Sequence, residues 1–178
     1  DAGEIRLGSI DNNSQLYDLQ LNFTGNATVR ALQYSGYLMG NEGTLRISAT
    51  GDLTIEDKMA FRAPLVVDVA GTFAVGALEG NGKTMDVRAK DIRLGSANLT
   101  LGGAGSIVAD EEFSVNDFYY RGYSSGTLDI RAARQAGTIA SLGTYDGDLT
   151  FTIAEGDFRA GYVNIESGIF TLEAQTGS

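Results

Sequence analysis

Residues 45–49 read Leu-Arg-Ile-Ser-Ala, residues 65–69 read Leu-Val-Val-Asp-Val, and residues 85–89 read Met-Asp-Val-Arg-Ala. These segments alternate apolar and polar side chains with few exceptions, which is typical of a β-strand with one buried face. They start 20 residues apart. Alternation with period 2 that returns at a fixed longer interval indicates strands stacked in a repeat array.

The same pattern extends in both directions and defines three columns of mostly apolar or small residues, whose successive members are 20 to 24 residues apart. The middle column contains Phe23, Ile47, Val67, Val87, Ile107, Ile130, Phe151 and Leu172. The column two residues earlier contains Leu21, Leu45, Leu65, Met85, Gly105, Leu128, Leu149 and Phe170. The column two residues later contains Gly25, Ala49, Val69, Ala89, Ala109, Ala132, Ile153 and Ala174.

Each repeat also contains a shorter alternating segment, so we expect two strands per unit. The predicted short strands are residues 4–7, 28–31, 53–55, 73–75, 92–94, 113–115, 138–140 and 158–160. Only a few residues separate each long strand from the next short one, and glycine, aspartate and threonine are common there. Such residues are typical of turns and corners.

Units of this length account for residues 1–178 without a linker, so the sequence predicts a single all-β repeat domain. In a β-solenoid, or β-helix, every unit is one coil and successive coils pair in parallel at about 4.8 Å. In the alternative, the glycine-containing turns are hairpins and the strands form a long antiparallel meander. The columns favour the solenoid because they stack like residues on like residues. We predict about eight coils of 19–26 residues.

The composition excludes several classes of function. The chain has a formal net charge of −10 and contains no cysteine, histidine or tryptophan. Nucleic acids and anionic membranes bind clustered Lys and Arg, so neither is an expected partner. No stretch reaches the roughly 18 to 20 apolar residues that span a bilayer, so no membrane insertion is expected. Without cysteine, no disulfide can form and the core alone must hold the fold.

Two local motifs match catalytic signatures in the wrong context. Residues 77–84 fit a loose phosphate-loop pattern, Ala-Leu-Glu-Gly-Asn-Gly-Lys-Thr, but an alternating strand follows where a helix is required. We interpret this segment as a glycine-rich turn between the two strands of one coil. Residues 122–126 read Gly-Tyr-Ser-Ser-Gly, as in a serine-hydrolase elbow, but the chain has no histidine to accept the serine proton. We interpret it as a polar turn, and we expect no cofactor.

Metal and carboxylate chemistry also finds little support. There is no Cys or His for zinc, and neither residues 11–13 nor residues 146–148 complete a calcium loop. Polysaccharide-cleaving β-helix enzymes cluster aspartates on neighbouring coils, because two carboxyl groups suffice for glycoside hydrolysis. Here no aspartate recurs at one strand position in adjacent coils. We predict a protein that is not an enzyme and has no metal site, and a carbohydrate-active enzyme is the third alternative.

Two further features indicate outward contacts. Tyrosines cluster at residues 34–37 and 118–123, and exposed tyrosines supply contact area for proteins or sugars. Alternatively, these rings cover a coil corner. The candidate lateral contacts are Tyr34, Tyr37, Tyr119, Tyr120 and Tyr123. Glycosylation triplets, which favour a secreted and glycosylated surface, begin at Asn12, Asn22, Asn26 and Asn98.

Residues 43–55 read Gly-Thr-Leu-Arg-Ile-Ser-Ala-Thr-Gly-Asp-Leu-Thr-Ile. This segment resembles the repeats of filamentous-haemagglutinin-like exoproteins, whose coils follow the style Gly-x-Leu-x-Ile-x-Ala-x-Gly-x-Leu, and the likeness covers most of the chain. The repeat, the size and the start at Asp1 without an initiator methionine are also similar to the small secreted subunits of amyloid-like archaeal cell sheaths. Both resemblances imply an extracellular protein at the cell surface.

The repeat begins within the first few residues and continues to Ala174, so we expect both end coils to be uncapped. An uncapped solenoid exposes unpaired backbone groups and half a core, which natural β proteins usually block. We therefore predict an extracellular structural protein that self-assembles into a homopolymer, as a cell-surface fibre, tube or sheath. The predicted assembly edges contain Ile5, Leu7, Phe170 and Leu172. The alternative is a fragment of a larger adhesin that binds a host surface or a glycan.

Overall fold

Parallel strand pairing runs through the whole described chain. The computed structural model describes residues 5–12, 18–34, 43–82, 84–123 and 126–174, with the backbone alone at residues 11 and 12. The strands are β1 (Ile5–Asn12), β2 (Leu19–Phe23), β3 (Ala27–Tyr34), β4 (Leu45–Ala49), β5 (Leu53–Phe61), β6 (Leu65–Gly82), β7 (Met85–Leu101), β8 (Ala104–Gly122), β9 (Thr127–Gln135), β10 (Ile139–Tyr145), β11 (Asp148–Ile153), β12 (Ala160–Ile165) and β13 (Phe170–Ala174). Every pairing between them is parallel. The predicted all-β solenoid is confirmed, and the antiparallel meander is excluded.

Each coil contains three strand segments, which we call the first, second and third faces. In β6, buried side chains alternate over residues 65–69, 73–75 and 78–80, and the alternation breaks between these segments. Each break marks a corner, so one long strand follows all three faces. The first face contains β2, β4, β11 and β13 and the starts of β6, β7, β8 and β9. The second face contains the starts of β1, β3 and β5, the middles of β6, β7 and β8, and the end of β9. The third face contains β10 and β12 and the ends of β1, β3, β5, β6, β7 and β8.

Equivalent residues of neighbouring coils lie directly above one another on the first face. Ile47 pairs with Val67, Val67 with Val87, and Val87 with Ile107. All four side chains are buried. The eight first-face segments therefore enclose seven complete turns, and the predicted stacking of like residues is confirmed over these coils.

The first coil differs from the predicted register by two residues. Leu21, rather than Phe23, pairs with Ile47, and Phe23 pairs with Ala49. The prediction was wrong here because Leu19, Leu21 and Phe23 are three apolar residues at alternate positions. Such a run fits the column pattern equally well in either of two registers, and the longer first coil gives no further constraint.

The predicted two-strand unit was wrong because it missed the third face. Residues 77–82, interpreted from the sequence as a turn, form the end of β6. Leu78 in this segment is buried and pairs with Met59 on one side and Ala97 on the other. Residues 139 and 140 begin β10, and of residues 158–160 only Ala160 lies in a strand.

Glycine explains why the third face is hard to recognise in the sequence. Gly80 occupies an inward position, in register with Phe61 and Leu99. A Cβ at this position would collide with the Phe61 ring and lie 3.0 Å from Leu99. The neighbouring side chains thus fill the space of the missing one, and an inward glycine interrupts the apolar alternation without leaving a hole.

Side-chain oxygens at the corners connect successive coils. Asn26 Oδ1 accepts a hydrogen bond from the Asp52 amide at 2.9 Å, and Asp52 Oδ1 accepts one from the Thr72 amide at 2.8 Å. At another corner, Asp148 Oδ1 accepts a hydrogen bond from the Ile169 amide at 3.0 Å. These polar side chains satisfy backbone donors at the points where the strands bend.

Inward side chains from all three faces form one continuous core. Its fully buried aromatic rings include Phe61, Phe73, Phe113 and Phe151. Among the described residues, Thr144 is the one buried polar side chain outside the tyrosines. Apolar burial is therefore the dominant stabilising contribution along the whole array.

Candidate functional site

The described array ends in strands that have a pairing partner on one side only. Within the described residues, β12 and β13 each pair on one side only, and so do β1 and β2. We call β1 and β2 the upper end, and β12 and β13 the lower end. Leu7 at the upper end is 41% exposed and Leu172 at the lower end is 43% exposed, whereas Ile5 and Phe170 are half-buried. All four predicted edge residues thus lie on end strands.

The lower end exposes further apolar side chains that the sequence analysis missed. Val163 and Ile165 on β12 are 43% and 44% exposed, and Ile169 beside β13 is 61% exposed. Val163 continues an inward column, since it pairs with Leu142, which is fully buried one coil higher. The two-strand interpretation ended the short strand at Ala160 and predicted no strand over residues 161–165, so it gave no reason to expect a second apolar edge.

The two ends of the described array are in phase, which means that the face of the last strand and the face of the first strand are consecutive in the winding. The last described strand lies on the first face, and β1 begins on the second face, which follows the first face in winding order. The described strands therefore complete a whole number of turns. The first-face columns begin with Leu19, Leu21 and Phe23 at the upper end and finish with Phe170, Leu172 and Ala174 at the lower end.

An aromatic cluster lies directly above the lower end. The buried Phe151 ring contacts four other rings at centroid distances of 5.3 to 6.2 Å. These rings belong to Phe113, Phe118, Phe158 and Phe170. We call residues 158–174, which contain β12 and β13, the last coil. Because Phe158 and Phe170 both belong to it, the cluster fixes the last coil to the two turns above it.

The structure separates the predicted contact tyrosines into two groups. Tyr34 and Tyr120 are buried inward residues, so lateral contact through them was a wrong prediction. Strand alternation is the reason, because in β8 it points Tyr120 inward and Tyr119 outward. Tyr119 and Tyr123 are about half exposed, and Tyr37 lies outside the described residues.

The buried tyrosines are perturbed by their surroundings. Burial, together with the nearby Asp148 carboxylate, raises the pKa of Tyr120 to about 12, and its hydroxyl has no hydrogen-bond partner among the described residues. Burial, and secondarily the Asp18 carboxylate, also raises the pKa of Tyr34. Both phenols therefore stay neutral at physiological pH, which fits a packing role rather than acid–base chemistry.

Outward tyrosines gather at the lower part of the third face. We call Tyr119, Tyr123, Tyr145 and Tyr162, with Arg121 and Gly143, the tyrosine platform. The Arg121 guanidinium carbon lies 4.4 Å from the Tyr145 ring centroid and 5.0 Å from that of Tyr123. The Tyr119 hydroxyl and the Ser141 hydroxyl are 3.0 Å apart and share a hydrogen bond. Tyr145 and Tyr162 stood outside both sequence clusters, so sequence reasoning missed them.

Three of the glycosylation asparagines have described side chains. Asn22, Asn26 and Asn98 are all exposed, and Asn98 lies on the third face. Asn22 Oδ1 accepts a hydrogen bond from the Ser48 hydroxyl at 2.6 Å. The side chain of Asn12 lies outside the described residues. Glycosylation stays a prediction.

Charged side chains on the described surface form separate ion pairs, most of them between neighbouring coils, instead of converging on one point. Arg88 contacts Asp110 at 3.2 Å and Lys58 contacts Glu79 at 3.2 Å. A hydrogen bond from Arg131 to Asp129 raises the pKa of the Arg131 guanidinium. Within the described ranges, no group of three or more Asp or Glu side chains is arranged to hold a metal ion.

Comparison with family models, with curated proteins and with solved structures finds no match for this chain. In the part of the chain that the structure describes, no helix is long and apolar enough to cross a membrane. Neither resemblance stated from the repeat pattern, to filamentous-haemagglutinin-like exoproteins or to archaeal sheath subunits, is tested by these comparisons.

Proposed function

We propose that the protein is a non-enzymatic extracellular structural subunit that assembles end to end, through its exposed strand edges, into a cell-surface fibre, tube or sheath. The observation that carries this proposal is the matched phase of the two ends. Stacking a second copy below the first would set Leu19 under Phe170, Leu21 under Leu172, and Ile10 under Val163. Each of these positions is apolar on both sides of the junction.

The proposed contact is head to tail, because the upper and lower ends are different surfaces. A head-to-tail contact does not close on itself unless the subunits rotate into a ring, so it generates filaments. Docking would pair the free backbone groups of β12 and β13, and each hydrogen bond contributes about 1 kcal/mol net. It would also bury Leu172, Val163 and Ile165, which are more than two-fifths exposed.

Two single substitutions test the proposal, one at each end. Leu172→Lys places a charge on the lower end and Leu7→Lys places one on the upper end, and both side chains are exposed enough to leave the fold intact. The control is Thr152→Lys, on an outward position of β11. We expect filaments by electron microscopy for the parent and for Thr152→Lys, and monomers for both end variants by sedimentation velocity.

Mixing the end variants tests the head-to-tail geometry. Leu7→Lys retains a working lower end and Leu172→Lys retains a working upper end, so an equimolar mixture should form dimers and stop there. A parent chain that stays monomeric at high concentration would refute end-to-end assembly. That result would favour the alternative, a coil array from a larger adhesin. Dimers in either variant alone would refute the head-to-tail contact.

A further inference from the structure

We propose that the tyrosine platform on the third face binds a neutral polysaccharide with a flat, extended chain. The proposal does not depend on end-to-end assembly, because the platform side chains point away from both ends of the array. It rests on the arrangement of the outward residues, on the support beneath Tyr119, and on the charge balance of the face.

The outward side chains of the last three coils form a three-by-three grid on the third face. Neighbouring rows are about 4.8 Å apart, and outward residues within a row are about 6.6 Å apart, so the grid measures about 10 by 13 Å. Such an area can seat a short stretch of sugar rings. The rows are Asp117, Tyr119 and Arg121; Ser141, Gly143 and Tyr145; and Tyr162, Asn164 and Glu166.

Tyr119 is held flat and ready for stacking. Its neighbour in the next coil is Gly143, and a Cβ there would lie 2.7 Å from Cδ1 of the Tyr119 ring. The ring therefore packs directly on the glycine backbone, while half of the side chain stays exposed. The hydrogen bond with Ser141 fixes the far end of the ring. A preorganised ring loses little conformational entropy when a ligand binds.

The chemistry of the grid fits sugars better than a protein partner. Aromatic ring faces pack on the C–H faces of a sugar, and the adjacent carboxylates, amides and guanidinium can hydrogen-bond its hydroxyls. None of the nine grid positions holds an aliphatic side chain. The exposed aliphatic side chains Leu7, Val163, Ile165, Ile169 and Leu172 all belong to the end coils.

The charge of the third face favours a neutral ligand. From β5 to the residue after β12, the outward positions that the structure describes carry three cations and three carboxylates. A polyanion such as single-stranded DNA also stacks on aromatic rings, but it requires a positively charged groove. The six charged residues are Lys58, Arg62, Arg121, Glu79, Asp117 and Glu166.

A cleft higher on the same face extends the proposed site. It has a volume of about 310 Å³, and its lining includes the outward residues Ala60, Glu79 and Thr100. Its lining includes the amides of Gln33, Asn81 and Asn98. An extended chain running across the coils could therefore meet aromatic rings first and amide groups next.

The test measures retention of protein on insoluble cellulose and chitin, which are neutral polymers with flat extended chains. All proteins carry Leu172→Lys, and sedimentation without polysaccharide provides the blank, so pelleting of filaments is not mistaken for binding. We expect Tyr119→Ala and Tyr162→Ala to weaken retention about fivefold to tenfold each. Thr152→Ala, on the first face, is the control and should bind like its parent.

The variant Gly143→Ala tests whether binding depends on the placement of the Tyr119 ring or only on the presence of exposed aromatic side chains. This variant keeps every tyrosine but displaces the Tyr119 ring from the glycine backbone, so its retention should also fall. The chain contains no tryptophan, so tyrosine fluorescence reports the same binding directly. The proposal is overturned if neither polysaccharide retains the protein, if the tyrosine variants bind like the parent, or if only polygalacturonate or single-stranded DNA is bound.

Discussion

Replacing Phe151 by alanine should loosen the lower end of the array while leaving its middle intact. The Phe151 side chain is fully buried and contacts two rings of the coils above it and two rings of the last coil. In a solenoid each coil contacts only its neighbours, so the loss of one core side chain is felt first by the adjacent coils. Among the described residues, β12 and β13 of the last coil pair on one side only, so this coil has fewer contacts with which to compensate.

The expected cost follows from the cavity and from the ring contacts. Truncating a buried Phe to Ala costs about 3 to 5 kcal/mol, and each aromatic pair contributes about 0.5 to 1.5 kcal/mol beyond area burial. Since Phe151 makes four such pairs, the cost of Phe151→Ala should lie at the upper end of this range. Phe158 and Phe170, which are half-buried, would lose their main aromatic contact.

Hydrogen exchange read out by mass spectrometry is the suitable assay, because it reports opening coil by coil. For Phe151→Ala we expect strong loss of protection in β11, β12 and β13 and little change in β6 and β7. Phe151→Leu retains most of the volume and should show a smaller effect. Phe73→Ala is the positional control, because Phe73 is equally buried but has coils packed on both sides.

The reasoning would be refuted by equal protection of β12 and β13 in the parent and in Phe151→Ala. It would also be refuted if Phe73→Ala and Phe151→Ala lost protection over the same peptides, since the chain would then unfold as one unit. In either case, the aromatic cluster would not be what holds the last coil.

Three further substitutions test the core, a corner and a buried phenol. Val87→Asp buries an unpaired charge and should lower the free energy of unfolding by several kcal/mol in urea titrations, whereas Val66→Asp, on an outward position of β6, should change it little. Gly95→Ala places a Cβ against a carbonyl oxygen of the neighbouring coil and should cost about 1 to 3 kcal/mol, while Gly102→Ala, with open space around it, should be neutral in the same titration. The pKa of Tyr120 is about 12 in the folded state and about 10 in the unfolded state. The folding stability that comes from the buried neutral phenol is therefore complete below pH 10 and is lost as the pH rises towards 12. Tyr120→Phe should therefore lose less stability than the parent between pH 10 and pH 12; an equal loss would contradict the assignment.

The stacked fold could be predicted because the central coils are short and regular. Leu65, Met85 and Gly105 follow one another at intervals of 20 residues, and equal spacing leaves one sensible register. The first coil could not be placed, since Leu19, Leu21 and Phe23 fit two registers. The number of faces could not be predicted either, because one inward column of the third face contains residues as different as Gly80 and Tyr120.

The surface features were predictable only in part, because inward and outward positions alternate along a strand and the sequence alone does not show which position is which. A run such as Phe118-Tyr119-Tyr120 contains both inward and outward rings, and only the corner position decides which is which. The Tyr119–Gly143 contact joins residues 24 positions apart, in a coil longer than its neighbours, so no local pattern reveals it. The edge residues Leu7 and Leu172 were predictable because they continue columns already defined by the core.

End-to-end assembly and glycan binding would reinforce each other physically. Every added subunit would bring one more tyrosine platform about 38 Å further along the same face, because the eight first-face segments of each copy add eight turns once the junction is included. Linked sites on one rigid filament bind a long chain far more tightly than one site does, provided that the spacing allows simultaneous contact. Weak binding by a single platform is therefore compatible with firm attachment of a filament. On this reasoning, filaments diluted with Tyr119→Ala subunits should lose retention on cellulose more steeply than in proportion to the fraction of altered subunits.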